Sequence, residues 1–291
     1  MPSRYLTSKG VCSVCGAPLI DAVRYCPTCS SDVGAPNVRA CLTDENLKAL
    51  NERFDKARSH ATSNGCLKEF DTLDEMLRNE SGVVISIPAR IARNLFEDPK
   101  SLYANYEKLV GAKMRVTASA EDDKHRFAIG GMLFGSYANS IIYGALSLTE
   151  HGLSTYGEVH CRLKSVAIER RTSFLEKNSY KFIRDHGLVA GDKLPEGFSA
   201  CWADRQKLVL AKLASALSAG QGPSDWQAII CQSDGANRED DEFVEAHIYE
   251  GFNWNAIESM VETVDRKMTR SERLDFDLAN DAFGKLQGKL K

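Results

Sequence analysis

Hydrophobic positions recur with different periods along the chain. Between Leu42 and Arg78 they return every three or four residues, as Leu47, Leu50 and Phe54 and then Leu67, Phe70, Leu73 and Leu77, among charged neighbours. That spacing puts one apolar stripe on each of two helices, the first running from Leu42-Thr43-Asp44 towards His60 and the second over 66–78. The pair is expected to pack as a helical hairpin on a larger body. At Gly82 the pattern changes to a β-branched run stopped by Pro88, which predicts a strand. Segments 89–95 and 102–109 read as helical. Residues 120–126 read as a charged loop, and Phe127 to Gly135, with three glycines in six residues, reads as a loop beside a pocket without phosphate-loop spacing.

Ile141 to Leu148 is apolar throughout, so its period does not separate helix from strand. Thr155 to Leu163 alternates and predicts a strand carrying Tyr156, Val159, Cys161 and Leu163. Trp202 to Leu217 has the clearest amphipathic helical pattern. Trp226 to Gln232 and Glu242 to Tyr249 read as two strands paired in a hairpin around the acidic turn 234–241. A turn with a short helix at Gly251, Asn253 and Ile257 and a charged helix from Thr269 complete the chain, with no internal repeat. Together these elements predict an α+β fold: a mixed or antiparallel sheet with flanking helices, plus a small N-terminal module. The expected organisation is a module over 1–36, a helical linker or hairpin over 37–80 and a main domain over 81–291.

Composition narrows the function classes only a little. Of 291 residues, 43% are hydrophobic and 26% charged, which excludes a disordered chain. A net charge of −3 and a pI near 6.1 supply no global basic field for nucleic acid, although a local patch would escape this measure. No apolar stretch approaches the ~20 residues of a membrane span, and no secretory signal is recognisable, so a cytoplasmic protein with no membrane partner is expected.

The cysteines carry the most specific signal. Cys12 and Cys15 form one Cys-x2-Cys pair, and Cys26 and Cys29 form another after ten intervening residues. Each pair lies in a turn-forming setting, so two thiolates from each turn can complete a tetrahedron around one ion. Two disulfides or a redox dithiol fit less well, because short Cys-x2-Cys loops are poor staples and both pairs share one small segment. The expectation is a zinc ribbon whose closed ligand set is structural. The other five cysteines, Cys41, Cys66, Cys161, Cys201 and Cys231, stand singly and read as reduced core thiols.

Chemistry must then come from elsewhere. In Phe243-Val-Glu-Ala-His-Ile-Tyr249 the strand period of two puts Glu245, His247 and Tyr249 on one face. The same pattern also describes the solvent face of an edge strand, with Val244, Ala246 and Ile248 inside. The string from Glu245 through Gly251-Phe-Asn-Trp-Asn-Ala-Ile257, a glutamate heading an apolar strand with an isoleucine a dozen residues later in a helical turn, resembles the final catalytic strand of the ADP-ribosyltransferase superfamily. It is also similar to segments of toxin-like bacterial proteins. The resemblance implies NAD as substrate and a toxin or defence effector that modifies a macromolecular target. It also implies that Glu245 holds the nicotinamide ribose and stabilises the oxocarbenium-like state. By the same resemblance Arg126 or His125 would contact NAD phosphate or ribose. Tyr156, or the Arg171-Thr172-Ser173 string, would fill the middle motif position. The resemblance spans at most residues 120–262.

Two other readings remain. Asp234, Glu245 and His247 would gather a divalent cation for a metal-dependent nuclease, although His247 stands where the commonest nuclease core has a lysine. Alternatively the ribbon, with Arg4, Lys9, Arg24 and Arg39 nearby, is the working surface of a protein- or nucleic-acid-binding adaptor.

Overall fold

The computed structural model describes residues 10–20, 22–111, 120–233, 238–264 and 267–288, and for 106, 107 and 120–125 the backbone alone. The fold is α+β, with a seven-stranded antiparallel sheet, a two-stranded ribbon and eleven helices among the described residues, and a cysteine cluster near the N-terminus. Helix α1 (Pro36–Cys41) follows the cysteine cluster, then α2 (Asp44–Ser63) and α3 (Leu67–Asn79). Strand β1 (Gly82–Ile87), α4 (Ala89–Glu97), α5 (Tyr106–Gly111), α6 (Ala120–Phe134), β2 (Ile141–Ser147) and β3 (Val159–Leu163) come next. The chain continues through α7 (Ser165–Ile168), β4 (Thr172–Leu175), α8 (Ser179–His186), β5 (Ser199–Cys201), α9 (Arg205–Leu213) and α10 (Pro223–Ile230). It ends with β6 (Cys231–Gln232), β7 (Glu242–Phe243), β8 (Glu245–Tyr249), β9 (Ile257–Glu262) and α11 (Arg270–Gly288).

The large sheet has the order β5-β4-β8-β2-β1-β3-β9. Its register sorts side chains sharply by face. Phe174, Ala246, Ile142, Leu146, Val83, Ile85, Ile87 and Cys161 share one face and join the main core with Leu50, Phe70, Leu73 and Leu77 of α2 and α3. Helices α4, α9, α10 and α11 add Ile91, Leu208, Trp226 and Phe283 to the same cluster. Full burial of each large aliphatic or aromatic side chain stabilises by about 1.5–3 kcal/mol, so this face dominates folding. The opposite face carries Ser173, Glu245, His247, Tyr249, Tyr143, Ser86, His160 and Arg162. It is covered as well, by α1 and the end of α6, in a smaller cluster that contains Val38, Phe134, Ile141 and Tyr249.

Several elements differ from the sequence reading for identifiable reasons. Residues 120–134 form one helix, α6, where two loops were expected. Ala, Glu, Lys and Arg are good helix formers, and two interior glycines cost only about 1 kcal/mol each. The chain leaves this helix at Gly135 in a left-handed conformation with φ +53°. Residues 226–230 are helical too: Pro223 occupies the first turn, and the Asp225 carboxylate accepts from the Gly222 amide at 2.9 Å. The predicted hairpin therefore shrinks to β6 and β7, while β8 lies between β4 and β2 as an interior strand. Tyr156 sits in a 3-10 turn ahead of β3, and Ile257 opens β9 rather than a helical turn. Tyr103 precedes α5 and bridges to Phe252, with ring centroids 5.2 Å apart.

The loop before β3 comes very close to β1. A Cβ added at Gly157 would overlap the backbone of Ile87. Gly157→Ala is expected to cost about 1–3 kcal/mol of unfolding free energy, as overpacking does, with chemical denaturation as the readout.

Candidate functional site

The polar face of β8 is the centre of the site. An interior strand of an antiparallel sheet is covered on both sides here, so Glu245, His247 and Tyr249 are only 7%, 4% and 7% exposed. The alternative in which this row is the solvent face of an edge strand is thereby overturned. A buried carboxylate needs donors, and α8 supplies them. Asn178 caps that helix by accepting from the Tyr180 amide at 3.0 Å, which leaves Ser179 as its first residue. The Ser179 amide donates to Glu245 Oε2 at 2.9 Å, and the Ser179 hydroxyl donates to the same oxygen. His247 Nε2 lies 3.1 Å from Oε2 and 3.4 Å from Ser179 Oγ. Three groups thus converge on Oε2, whereas Oε1 has no protein partner among the described residues.

The His247 ring is held edge-on by two aromatic rings, Phe134 at 4.8 Å and Tyr143 at 5.4 Å between centroids. Glu245 lines a cavity of about 50 Å³ with Tyr143, Tyr156, Ser86 and Phe243. His247 and Ser173 line a separate cleft of about 680 Å³ between α1, the end of α6, the 192–196 loop and the cysteine module.

The remaining predicted residues fall into distinct places. Tyr156 lies beside Glu245 in the small cavity, and its hydroxyl donates to the Arg238 carbonyl at 3.3 Å. Burial, reinforced by the charges of Glu245 and Asp241, pushes its phenol well above the usual range, while Arg126 acts in the opposite direction. Arg126 is therefore near the site, on α6. The His125 side chain and Asp234 lie outside the described residues. Ser173 Oγ accepts from Asn37 Nδ2 of α1 at 3.0 Å. Arg171 is occupied by the backbone: it donates to the Tyr249, Glu250 and Gly251 carbonyls at 2.6, 2.7 and 3.3 Å, and so clamps the turn after β8. Glu250 in that turn has φ +64°.

Two functional-looking groups have structural duties. Glu176 pairs with Arg53 of α2, and Arg205 donates to Ser81 Oγ and to the Trp202 and Arg78 carbonyls, its guanidinium pulled down to about 10 by burial. Ser179 was not singled out from sequence. The one available signal was Asn-Ser opening an amphipathic stretch, a helix-start pattern that says nothing of a carboxylate 66 residues away.

The cysteine cluster is built from two matching turns. In the first, the Cys12 amide donates to the Ala17 carbonyl and the Gly16 amide to the Cys12 carbonyl, both at 2.8 Å. In the second, the Cys26 amide donates to Ser31 at 2.9 Å and the Ser30 amide to Cys26 at 2.8 Å. Gly16 and Ser30 occupy equivalent left-handed positions, with φ +72° and +59°. The four sulfurs lie within 4.8 Å of one another, with Cys12–Cys29 and Cys15–Cys26 both at 3.6 Å. A tetrahedron with metal–sulfur bonds of about 2.3 Å requires sulfurs ~3.8 Å apart, so the group fits a four-thiolate metal ion. The Ser31 hydroxyl and amide lower the Cys29 thiol to about 6, and the Cys29 and Thr28 amides lower Cys26. Among the described residues no other His, Cys, Asp or Glu group has metal-holding geometry.

This module is fastened to the site. Arg39 of α1 donates to the Val23 and Gly34 carbonyls at 2.7 Å each, and Tyr249 Oη donates to the Ala22 carbonyl at 3.3 Å. No helix of the described residues is long and apolar enough to cross a membrane. Comparison with protein-family models and with curated proteins finds no match for the chain.

Metal titration is expected to saturate at one thiophilic divalent ion per chain, and Cys29→Ser should weaken it sharply in a chromophoric-chelator competition. Ser30→Gly removes the left-handed strain of a residue with a Cβ. It should raise the stability of the metal-bound module by about 1 kcal/mol, read as slower metal loss to the chelator.

Proposed function

We propose that this chain is an enzyme that cleaves the nicotinamide–ribose bond of NAD and transfers the ADP-ribosyl group to a macromolecular acceptor, with Glu245 as its central catalytic residue. The observation that carries the reading is the state of the Glu245 carboxylate. One oxygen is fixed by Ser179 and faces His247, and the other makes no bond to the described protein beside a cavity walled by Tyr143 and Tyr156. As the glycosidic bond breaks, the electron pair leaves with nicotinamide and positive charge develops on the ribose. A carboxylate held in place before the reaction stabilises that charge more than it stabilises the ground state. Ser179 and the edge-on aromatic rings around His247 limit the reorganisation such a carboxylate would otherwise undergo.

Zinc is the metal we assign to the cysteine cluster, in a structural role, because four thiolates leave no open coordination position. The module also has exposed apolar side chains, Val14, Ile20 and Tyr25 at 55%, 60% and 52%. These favour contact of the ribbon with the macromolecular target, and they are equally what the adaptor reading expects. The two readings separate on chemistry: an adaptor binds its target without consuming NAD.

Nicotinamide release from NAD by the purified protein, followed by chromatography, is the direct test. Glu245→Gln should reduce it on the order of 10³-fold while leaving the thermal transition in place. Ser179→Ala should lower turnover less, by on the order of 10-fold, through a lower kcat. Undiminished turnover in folded Glu245→Gln would exclude the assignment.

A further inference from the structure

The four sulfurs of the cysteine module are alike in chemistry and unlike in access. Cys12 and Cys26 are each 1% exposed, Cys29 is half-buried with Ser31 Oγ 3.3 Å from its sulfur, and Cys15 is the exposed member. Cys15 stands in the first turn of the module, between Val14 and Gly16, which are exposed as well. Across the cluster, Cys26 Sγ lies 3.6 Å from Cys15 Sγ. An exposed sulfur with a buried one in reach is the arrangement of a thiol that reacts and a thiol that resolves.

Metal binding keeps such a pair reactive. A four-thiolate site holds its sulfurs deprotonated, and the thiolate is the nucleophilic form. The other five cysteines are differently placed. Cys41, Cys66, Cys161 and Cys201 are buried, and Cys231 is half-buried. Burial pushes the Cys41 and Cys161 thiols up to about 12, so they remain protonated near neutral pH.

We propose that Cys15 is the site at which a hydroperoxide oxidises this protein, and that Cys26 resolves the product. The Cys15 thiolate attacks one peroxide oxygen. An S–O bond forms as the O–O bond breaks, and the leaving hydroxide or alkoxide takes a proton from water. The Cys26 thiolate then attacks the sulfenic sulfur, an S–S bond forms as the S–O bond breaks, and hydroxide leaves. Each sulfur has lost one electron, and the peroxide has gained both. The sulfurs close from 3.6 Å to about 2.05 Å in this step. Cys12 and Cys29 alone are too few to complete a tetrahedral site, so the module gives up its ion and with it the constraint that orders so short a segment. Gly10, Leu19 and Arg39 also line the larger cleft, and Arg39 is bonded to the Val23 and Gly34 carbonyls, so oxidation loosens one wall of that cleft. The inference rests on the metal assignment and is independent of the reading of Glu245.

Titration of the zinc-loaded full chain with hydrogen peroxide tests it, with the ion content measured by elemental analysis before oxidant is added. One ion per chain should pass to a chromophoric chelator as the first two thiols disappear from the thiol count. Peptide mapping of that fraction should find a disulfide joining Cys15 and Cys26, and dimedone present during oxidation should label Cys15 ahead of the five cysteines outside the module. Dithiothreitol with added zinc should restore both the ion and the thiols. The inference is overturned if Cys15 stays reduced while the ion leaves, if the first disulfide joins Cys12 and Cys29, or if the ion is retained after a buried cysteine has been oxidised. A chain that carries no ion at the outset overturns the metal assignment and this inference together, whereas a loaded chain whose Cys15 resists peroxide overturns this one alone. All of these readouts use the unmodified protein, so none depends on how a variant folds.

Discussion

The buried polar row at the centre of the sheet follows from the position of β8. A strand with neighbours on both edges and layers on both faces offers no water to its side chains, so each polar group there must find a partner within the fold. Glu245 finds the first turn of α8, and His247 finds Glu245 and the edges of two aromatic rings. Tyr249 reaches the cysteine module. The three side chains that alternate along the strand thus tie together three separate parts of the chain. The apolar face of the same strand, with Ala246 and Ile248 fully buried, makes the register hard to shift. A slip by one residue would drive the polar row into the main core.

The cysteine module is part of this arrangement rather than an appendage. Arg39 and Tyr249 bind carbonyls at Val23, Gly34 and Ala22, and Gly10 and Leu19 contribute to the wall of the larger cleft. A metal ion in the four-cysteine group would therefore fix more than the ~20 residues it encloses, which are too few to bury a core of their own. It would also set one side of the cleft in which Asn37 lies. The cysteine cluster and the larger cleft share a physical connection through α1, whose Asn37 faces the sheet and whose Arg39 faces the module.

Parts of this were visible from residue order and parts were not. The two Cys-x2-Cys pairs and their turn-forming neighbours specified the cluster, because both pairs are local and the left-handed positions fall at Gly16 and at the matching Ser30. Helices α2 and α3 were legible from their apolar stripes, and β1 from its β-branched run ending in Pro88. The alternation over Glu245, His247 and Tyr249 identified a shared face. It left open whether that face met water or protein, since an edge strand and a covered interior strand share the same period. Ser179 and Asn37 could not be placed at all from order alone. Each acts across a long separation, 66 residues to Glu245 and 210 to the His247 carbonyl, and neither is marked by a local motif. Residues 120–134 and 226–230 were misassigned because glycine content and β-branched apolar content are weak guides when capping and packing favour a helix.

The sequence by itself determined the turns of the four-cysteine cluster, the α+β character and the row of carboxylate, imidazole and phenol on one side of a strand. These are matters of local spacing, governed by the periods of helix and strand and by the conformations that short turns permit. Only the tertiary structure decided that the row is buried. It also decided that one oxygen of Glu245 is held by Ser179 while the other finds no partner among the described residues, and that Arg171 serves a turn. Those outcomes depend on which distant segments meet β8, and the burial of the apolar face, summed over the whole sheet, selects that meeting.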